Sequence, residues 1–268
     1  MKYHTKKHLG QVFIKDKNII DKIIRHAEII SDDDVVEIGC GEGWLSRRLA
    51  EEGKSLTIIE IDERFLVETK ERLADILTVD YVLCDFLKTG FSEVKAEKVK
   101  LVANIPYYIS AKIVQQLVED RHRLVSALIM VQKEFAKKLV AKPGDDEYTS
   151  LAVYTQAHFD VSISFLISKQ SFRPVPKVDS AMLLLVPNDK LPLDIDRDLF
   201  FNIVRAAFWG RRKTLMKCLM ESPHTSFSAD IKLIPYFSDY PTVRGEMLGL
   251  ADFLEVYRQV KGFLKSEL

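Results

Sequence analysis

Cysteine is scarce in this chain, and the three present (Cys40, Cys84 and Cys218) are odd in number, far apart and without a Cys-x-x-Cys pair. Neither a disulfide framework nor a thiolate zinc site is expected, and a reducing compartment fits. Long apolar runs are missing as well, so no segment reaches the roughly 18 residues of a membrane-spanning helix. The opening residues, Met1 to Lys7, lack a signal peptide's apolar core, and the expectation is a soluble, cytoplasmic protein with no membrane partner. There is no internal repeat and no low-complexity tract. His4 and His8 have the spacing of a helical metal pair, but they sit in a lysine-rich terminus with no third ligand nearby, so no metal is expected.

Net charge is also lacking, but that zero hides a sorting of charge along the chain. Residues 28–97 hold 18 acidic and 8 basic side chains, whereas residues 1–25 hold 7 basic and 2 acidic ones. Residues 121–142 oppose six Lys/Arg with Glu134 alone, and residues 205–217 carry Arg205, Arg211, Arg212, Lys213 and Lys217 with no acid. One acidic flank and a separate positive surface suit a protein that meets phosphates, more than an enzyme for a neutral small molecule.

With 268 residues, 47% of them hydrophobic, the chain can bury a full core. From residue 34 short β-branched runs alternate with longer amphipathic stretches. Strands are expected at 35–38, 56–59, 80–83, 101–103 and 126–131, with helices at 44–52, 63–77, 110–118 and 133–140. This alternation predicts an α/β fold, a mainly parallel sheet with helices on both faces. Strand-like runs return between 151 and 186, at 161–166 and 181–186, consistent with antiparallel strands finishing the sheet edge. Composition changes at Pro187-Asn188-Asp189-Lys190-Leu191-Pro192, so the expected division is a catalytic domain at 1–190 and a small all-helical domain at 191–268. In the latter, helices are expected at 199–220, with a break at Gly210, and at 248–264.

Polar residues recur where these strands end. Gly39-Cys40-Gly41-Glu42-Gly43 is a glycine turn between a strand and a helix, which lets backbone approach a ligand. It differs from the dinucleotide Gly-x-Gly-x-x-Gly fingerprint without excluding NAD. Glu60 closes the second strand, where a carboxylate can take both ribose hydroxyls of a nucleoside; Asp85 follows the third and Asn104 the fourth. Open α/β sheets bind ligands at this edge. Acidic residues crowd the loop and it holds no Lys or Arg, which favours a cationic, phosphate-free nucleoside such as S-adenosylmethionine.

The tetrapeptide Asn104-Ile105-Pro106-Tyr107 carries the chemistry. An exocyclic base amine is a poor nucleophile because its lone pair is delocalised into the ring. Acceptors on its N–H groups, the Asn104 oxygen and a backbone carbonyl, pull nitrogen toward tetrahedral geometry. Pro106 stiffens the loop, and Tyr107 offers a face for stacking. Phe172, in the loop Phe172-Arg173-Pro174-Val175-Pro176-Lys177, reads as a base-stacking element at the surface with two phosphate-binding cations, Arg173 and Lys177, against the alternative of a core phenylalanine.

Together these motifs resemble the ribosomal RNA adenine N6-dimethyltransferase family, most of all its bacterial small-subunit (16S) branch. The resemblance runs from about Lys7 to Tyr257. It rests on Leu9-Gly10-Gln11-Val12-Phe13-Ile14, Glu37-Ile38-Gly39-Cys40-Gly41, Ile59-Glu60-Ile61-Asp62, Asp85, Asn104 to Ser110, Gln132 to Ala136 and Ser171 to Ser180. It implies that S-adenosylmethionine touches Val12, Ile14, Gly39, Glu60, Asp85 and Asn104, with Gly41 beside it, and that Tyr107 and Phe172 sandwich the target adenine. Cys40 stands where the family commonly has proline, Val12 where Asn is usual and Tyr108 where Asn is frequent. The expected activity is N6-dimethylation of two adjacent adenines in a hairpin loop near the 3′ end of 16S rRNA, by a monomer acting on the small subunit or its precursor. Arg211, Arg212 and Lys213 are expected to contact RNA. The alternatives are a 23S rRNA dimethylase, a non-catalytic RNA-binding or assembly factor on the same fold, and an NAD enzyme, for which no hydride-transfer acid or base is recognisable.

Overall fold

The computed structural model describes residues 13–14, 16–225 and 227–266, so Val12, His4 and His8 lie outside the described residues. In chain order the elements are β1 (Phe13–Ile14), α1 (Lys17–Ala27), β2 (Asp34–Ile38), α2 (Trp44–Glu52), β3 (Ser55–Glu60), α3 (Glu63–Arg72), β4 (Val79–Leu83) and α4 (Phe86–Thr89). There follow β5 (Val99–Asn104), α5 (Ser110–Glu119), β6 (Leu124–Gln132), α6 (Lys133–Val140), α7 (Ser150–Gln156), β7 (Phe159–Ile167), β8 (Phe172–Arg173) and β9 (Ser180–Pro187). The chain ends in α8 (Arg197–Ala207), α9 (Leu215–Glu221), α10 (Pro235–Asp239) and α11 (Leu250–Ser266).

The main sheet has the order β4-β3-β2-β5-β6-β9-β7. Its first five members are parallel, and β9 and β7 join antiparallel, as the alternating pattern predicts. The central parallel strands β2, β3 and β5 are short and mostly buried, which is why they read as continuous apolar runs. Strand order reverses between β2 and β5. Crossovers on the two sides of that point diverge, leaving a crevice above the carboxyl ends of β2 and β5. A two-stranded antiparallel pair, β1 with β8, sets Ile14 opposite Phe172.

Several helices depart from the sequence expectation. The helix expected at 63–77 stops at Arg72, where Ala74 N–H to Glu71 and Ile76 N–H to Leu73 make tight turns that bring the chain to β4. The break expected at Gly210 within 199–220 is present, by contrast: α8 ends at Ala207 and α9 is started afresh by the Thr214 cap. Residues 150–156, read as part of a strand-like region, are helical, capped by Thr149. α1 was not anticipated, although Ile20, Ile23, Ile24 and Ala27 form one buried stripe behind an Asp16 cap.

By its contacts the chain divides into one unit of Met1–Ala136 with Phe159–Asn188 and another of Lys137–His158 with Asp189–Leu268. One junction falls within the Pro187–Pro192 stretch, and by contacts residues 137–158 group with the second unit. The reason is burial. Tyr148, Ala152, Val153 and Ala157 have their apolar partners in Phe200, Phe201, Val204 and Phe253 of the second unit's own core. Tyr148 also donates its hydroxyl hydrogen to the Leu248 carbonyl at 3.0 Å.

Candidate active site

Above the reversal of strand order lies a cleft of about 330 Å³, lined by residues of the first unit. Ile14, Gly39, Gly41, Glu60, Asp85, Asn104 and Pro106 of the expected site all border it. Its walls are apolar side chains such as Ile38, Ile61, Phe65, Phe86 and Ile109, suited to a planar base, and its polar groups stand where strands stop.

The glycine turn brings β2 and β5 close. Gly39 has a left-handed φ of 79°, its N–H donates to Ile59 at 2.9 Å, and a Cβ there would lie 3.5 Å from the Asn104 carbonyl oxygen. Across the turn the Phe13 ring packs on Phe65, with centroids 5.4 Å apart, and a Cβ on Gly41 would touch that ring at 3.0 Å. Gly43 is tighter still. It sits at φ 75°, and a Cβ would meet Thr69 Oγ1 at 2.8 Å and Thr69 Cα at 3.2 Å. Gly43→Ala is therefore expected to destabilise the protein by about 1–3 kcal/mol, measured by denaturant unfolding, through left-handed strain and backbone crowding together.

Glu60 is held from its own strand end. Its Oε1 accepts the N–H groups of Ile61 and Asp62, both at 2.9 Å, and the Cys40 thiol donates to Oε2 at 3.6 Å. Burial raises its carboxyl above the usual range, and the Asp62, Ile61 and Cys40 donors oppose that rise. Burial and nearby carboxylates hold the Cys40 thiol firmly protonated. Asp85 caps α4 by accepting the Leu87 N–H on Oδ1 at 3.1 Å, so Oδ2 remains to accept from a ligand. Two carboxylates at adjoining strand ends, apolar walls between them and glycines that admit backbone approach make a fitting seat for the nucleoside of S-adenosylmethionine. Among the described residues no group of three or more His, Cys, Asp or Glu could hold a metal ion.

Beyond Asn104 the loop is anchored at both ends. Ile105 is buried, Pro106 has an extended ψ of 132°, and the Pro106 carbonyl accepts the Ile109 N–H at 3.1 Å, turning the chain into α5. Tyr107 does not border the cleft. Its half-buried phenol bonds Ser180 Oγ at 2.7 Å, and burial raises its pKa against that bond. Tyr108, 64% exposed, borders the cleft instead.

Phe172 requires a correction. It is not on a surface loop: pairing of β8 with β1 draws it inward, and it is 1% exposed in the core with Ile14, Ile167 and Met182. The prolines and cations that made the segment look superficial belong to its neighbours, and Arg173 and Lys177 are indeed exposed. In the second unit Arg211 pairs with Glu246 at 3.1 Å and donates to the Asp146 carbonyl at 2.9 Å. Lys213 pairs with Glu221 at 2.6 Å and lies 4.1 Å from the Trp209 ring centre. Arg212 is exposed and has no ion pair among the described residues.

Three cleft residues were given no role from sequence. Phe13 and Glu37 appear in motif strings without any pattern that singles them out. Trp44 lines the rim, with the Arg72 guanidinium 3.8 Å from its ring centre, and was read only as the start of a helix.

Residues 2–232 match the family Ribosomal RNA adenine dimethylase. The Ribosomal RNA small subunit methyltransferase A of Bacillus mycoides is 37% identical over 262 residues, covering 94% of this chain and 89% of that protein. Its namesake from Lysinibacillus sphaericus is 35% identical over the same shares of each chain. Among solved structures, a dimethyladenosine transferase from Plasmodium falciparum superposes with a TM-score of 0.81 at 29% identity, covering 91% of this chain and 95% of that one. The 23S rRNA methyltransferase ErmE gives 0.69 at 27% identity, covering 93% and 99%. With a strand-end cleft built for a nucleoside and the Asn-Ile-Pro-Tyr loop beside it, the chain belongs to the ribosomal RNA adenine dimethylase family.

Proposed function

We propose that the protein dimethylates N6 of two adjacent adenines in a hairpin loop near the 3′ end of 16S rRNA, working as a cytoplasmic monomer on the small ribosomal subunit or its precursor. The observation that carries this reading is that Asn104 opens on the same cleft as Glu60 and Asp85, so an amine acceptor and a nucleoside seat share one space. Bound there, S-adenosylmethionine supplies a methyl group on a positively charged sulfur. Glu60 accepts the ribose hydroxyls and Asp85 Oδ2 the cofactor's adenine amine. Asn104 accepts one N–H of the target adenine, which RNA presents flipped from its stack. A second acceptor is a carbonyl of Ile105 or Pro106, the latter using the lone pair that Ile109 leaves free. The amine loses a proton as its bond to carbon forms, and a monomethylated amine retains one N–H for a second round.

The names of the relatives favour the small subunit over the large one. Incubation with labelled S-adenosylmethionine and undermethylated small or large subunits, followed by mapping of the label, tests this. Label in small-subunit adenines is expected, and label confined to the large subunit would overturn it.

Arg211 and Arg212 of the basic block should separate. Arg212→Ala is expected to weaken RNA binding and to reduce the slope of log affinity against log salt by roughly 0.7–0.9, the value for one lost phosphate contact. Arg211→Ala should leave that slope nearly unchanged, because its guanidinium is committed to Glu246 and Asp146. Filter binding across a salt series reads both.

A further inference from the structure

Among the carboxylates that border the cleft, Glu60 and Asp85 have been given work and Glu37 has none. Glu37 stands on β2, paired in register with Ile58 and Val102, and is 1% exposed. Its Oε2 is buried, and the side-chain donor beside it is the equally buried Ser46 hydroxyl on α2, a neutral group. The groups that face it are Ser46 from α2, Cys40 from the glycine turn and Glu60 from β3, and none of them is a cation. Two carboxylates facing one apolar space do not both carry charge; the better-solvated one ionises and the other keeps a proton. The donors mark which is which. Glu60 has two backbone N–H groups and a thiol, whereas Glu37 has the Ser46 hydroxyl beside it and no backbone donor to its side chain among the described residues.

We infer that Glu37 is a charge-sensing residue of the cofactor site, protonated in the empty cleft and ionised when a cationic nucleoside enters, so that cofactor binding expels one proton to solvent. Burial, opposed by the Ser46 hydroxyl and reinforced by Glu60, pushes the Glu37 carboxyl up to about 8, which agrees with a neutral acid in the empty cleft at pH 7. The inference rests on the S-adenosylmethionine reading. It also distinguishes substrate from product. Transfer forms the N–C bond and breaks the S–C bond, leaving its electron pair on sulfur, so the cofactor loses its positive charge. The counter-charge on Glu37 is then no longer matched, and the acid takes a proton back. Substrate is favoured over product because the extra positive charge is what offsets the cost of a second buried carboxylate.

Linkage sets the sign. Because the ligand lowers the pKa of Glu37, affinity for S-adenosylmethionine should rise toward tenfold per pH unit below about pH 8 and level off above it. Titration calorimetry of the whole protein in two buffers of different ionisation enthalpy at pH 7 counts the protons. Wild type should release close to one per S-adenosylmethionine and fewer per S-adenosylhomocysteine, and Glu37→Gln should release almost none. Wild type that binds S-adenosylmethionine without proton release, or a folded Glu37→Gln protein that releases as many, would overturn the inference. If the glutamine variant does not fold, the pH dependence of wild-type affinity decides alone, and a flat profile from pH 6 to 8 overturns it. Absence of any S-adenosylmethionine binding by wild type is a distinct result, which removes the function proposed above.

Discussion

Asn104→Ala is expected to reduce methyl transfer by about 10²- to 10³-fold or below detection, with S-adenosylmethionine and RNA affinities little changed. The side chain stands at the end of β5, where the Ile38–Ala103 pairing and the close approach of Gly39 set its position against the cofactor turn. Alanine preserves that backbone and removes only the amide, so the loss should fall on kcat. The expected cause is specific: without the acceptor, the amine's lone pair stays delocalised into the purine ring. Single-turnover transfer to undermethylated subunits, with calorimetry of cofactor binding alongside, checks both halves. Substantial retained activity would sink the assignment of Asn104.

Phe172→Ala is expected to cost about 3–5 kcal/mol of folding stability, measured by denaturant unfolding, as for other fully buried phenylalanines. The ring packs with Ile14, Ile167 and Met182 behind the β1–β8 pair, so the loss should be accompanied by loosening of Phe13–Ile14. Leucine at this position should recover most of the difference, because it refills the volume with another apolar side chain. A stability change below about 1 kcal/mol for the alanine variant would show that the ring is not the core element described here.

Much of this architecture was legible because the inner parallel strands β2 and β3 are buried on both faces, and β-branched runs such as Val35-Val36 and Ile58-Ile59 leave little alternative. Strand ends were legible for the same reason, and with them the line of Gly39, Glu60, Asp85 and Asn104. What escaped was set by partners distant in sequence. Phe172 is flanked by Arg173, Pro174 and Lys177, and only its pairing with Ile14, far back in the chain, makes it interior. The Tyr107 and Tyr108 side chains look interchangeable in the string; the Ser180 hydroxyl, 73 residues on, holds the first away from the cleft rim that the second occupies. The basic block at 211–213 seemed uniform because Glu221 and Glu246, which neutralise two of its members, lie outside it. Glu37 could not be distinguished from any acid at a strand end until its burial was known.

The second unit is assembled from two lengths of chain separated by Phe159–Asn188. On a ribosome making this protein, Tyr148 and Val153 emerge long before Phe200 and Phe253, the side chains that will cover them. That apolar surface must therefore wait, uncovered, while β7 and β9 complete the sheet. A fragment ended at residue 190 would carry the same exposed surface permanently, and a fragment begun at 191 would lack part of its own interior. Exchanging this unit between relatives would accordingly require three matched junctions in each gene.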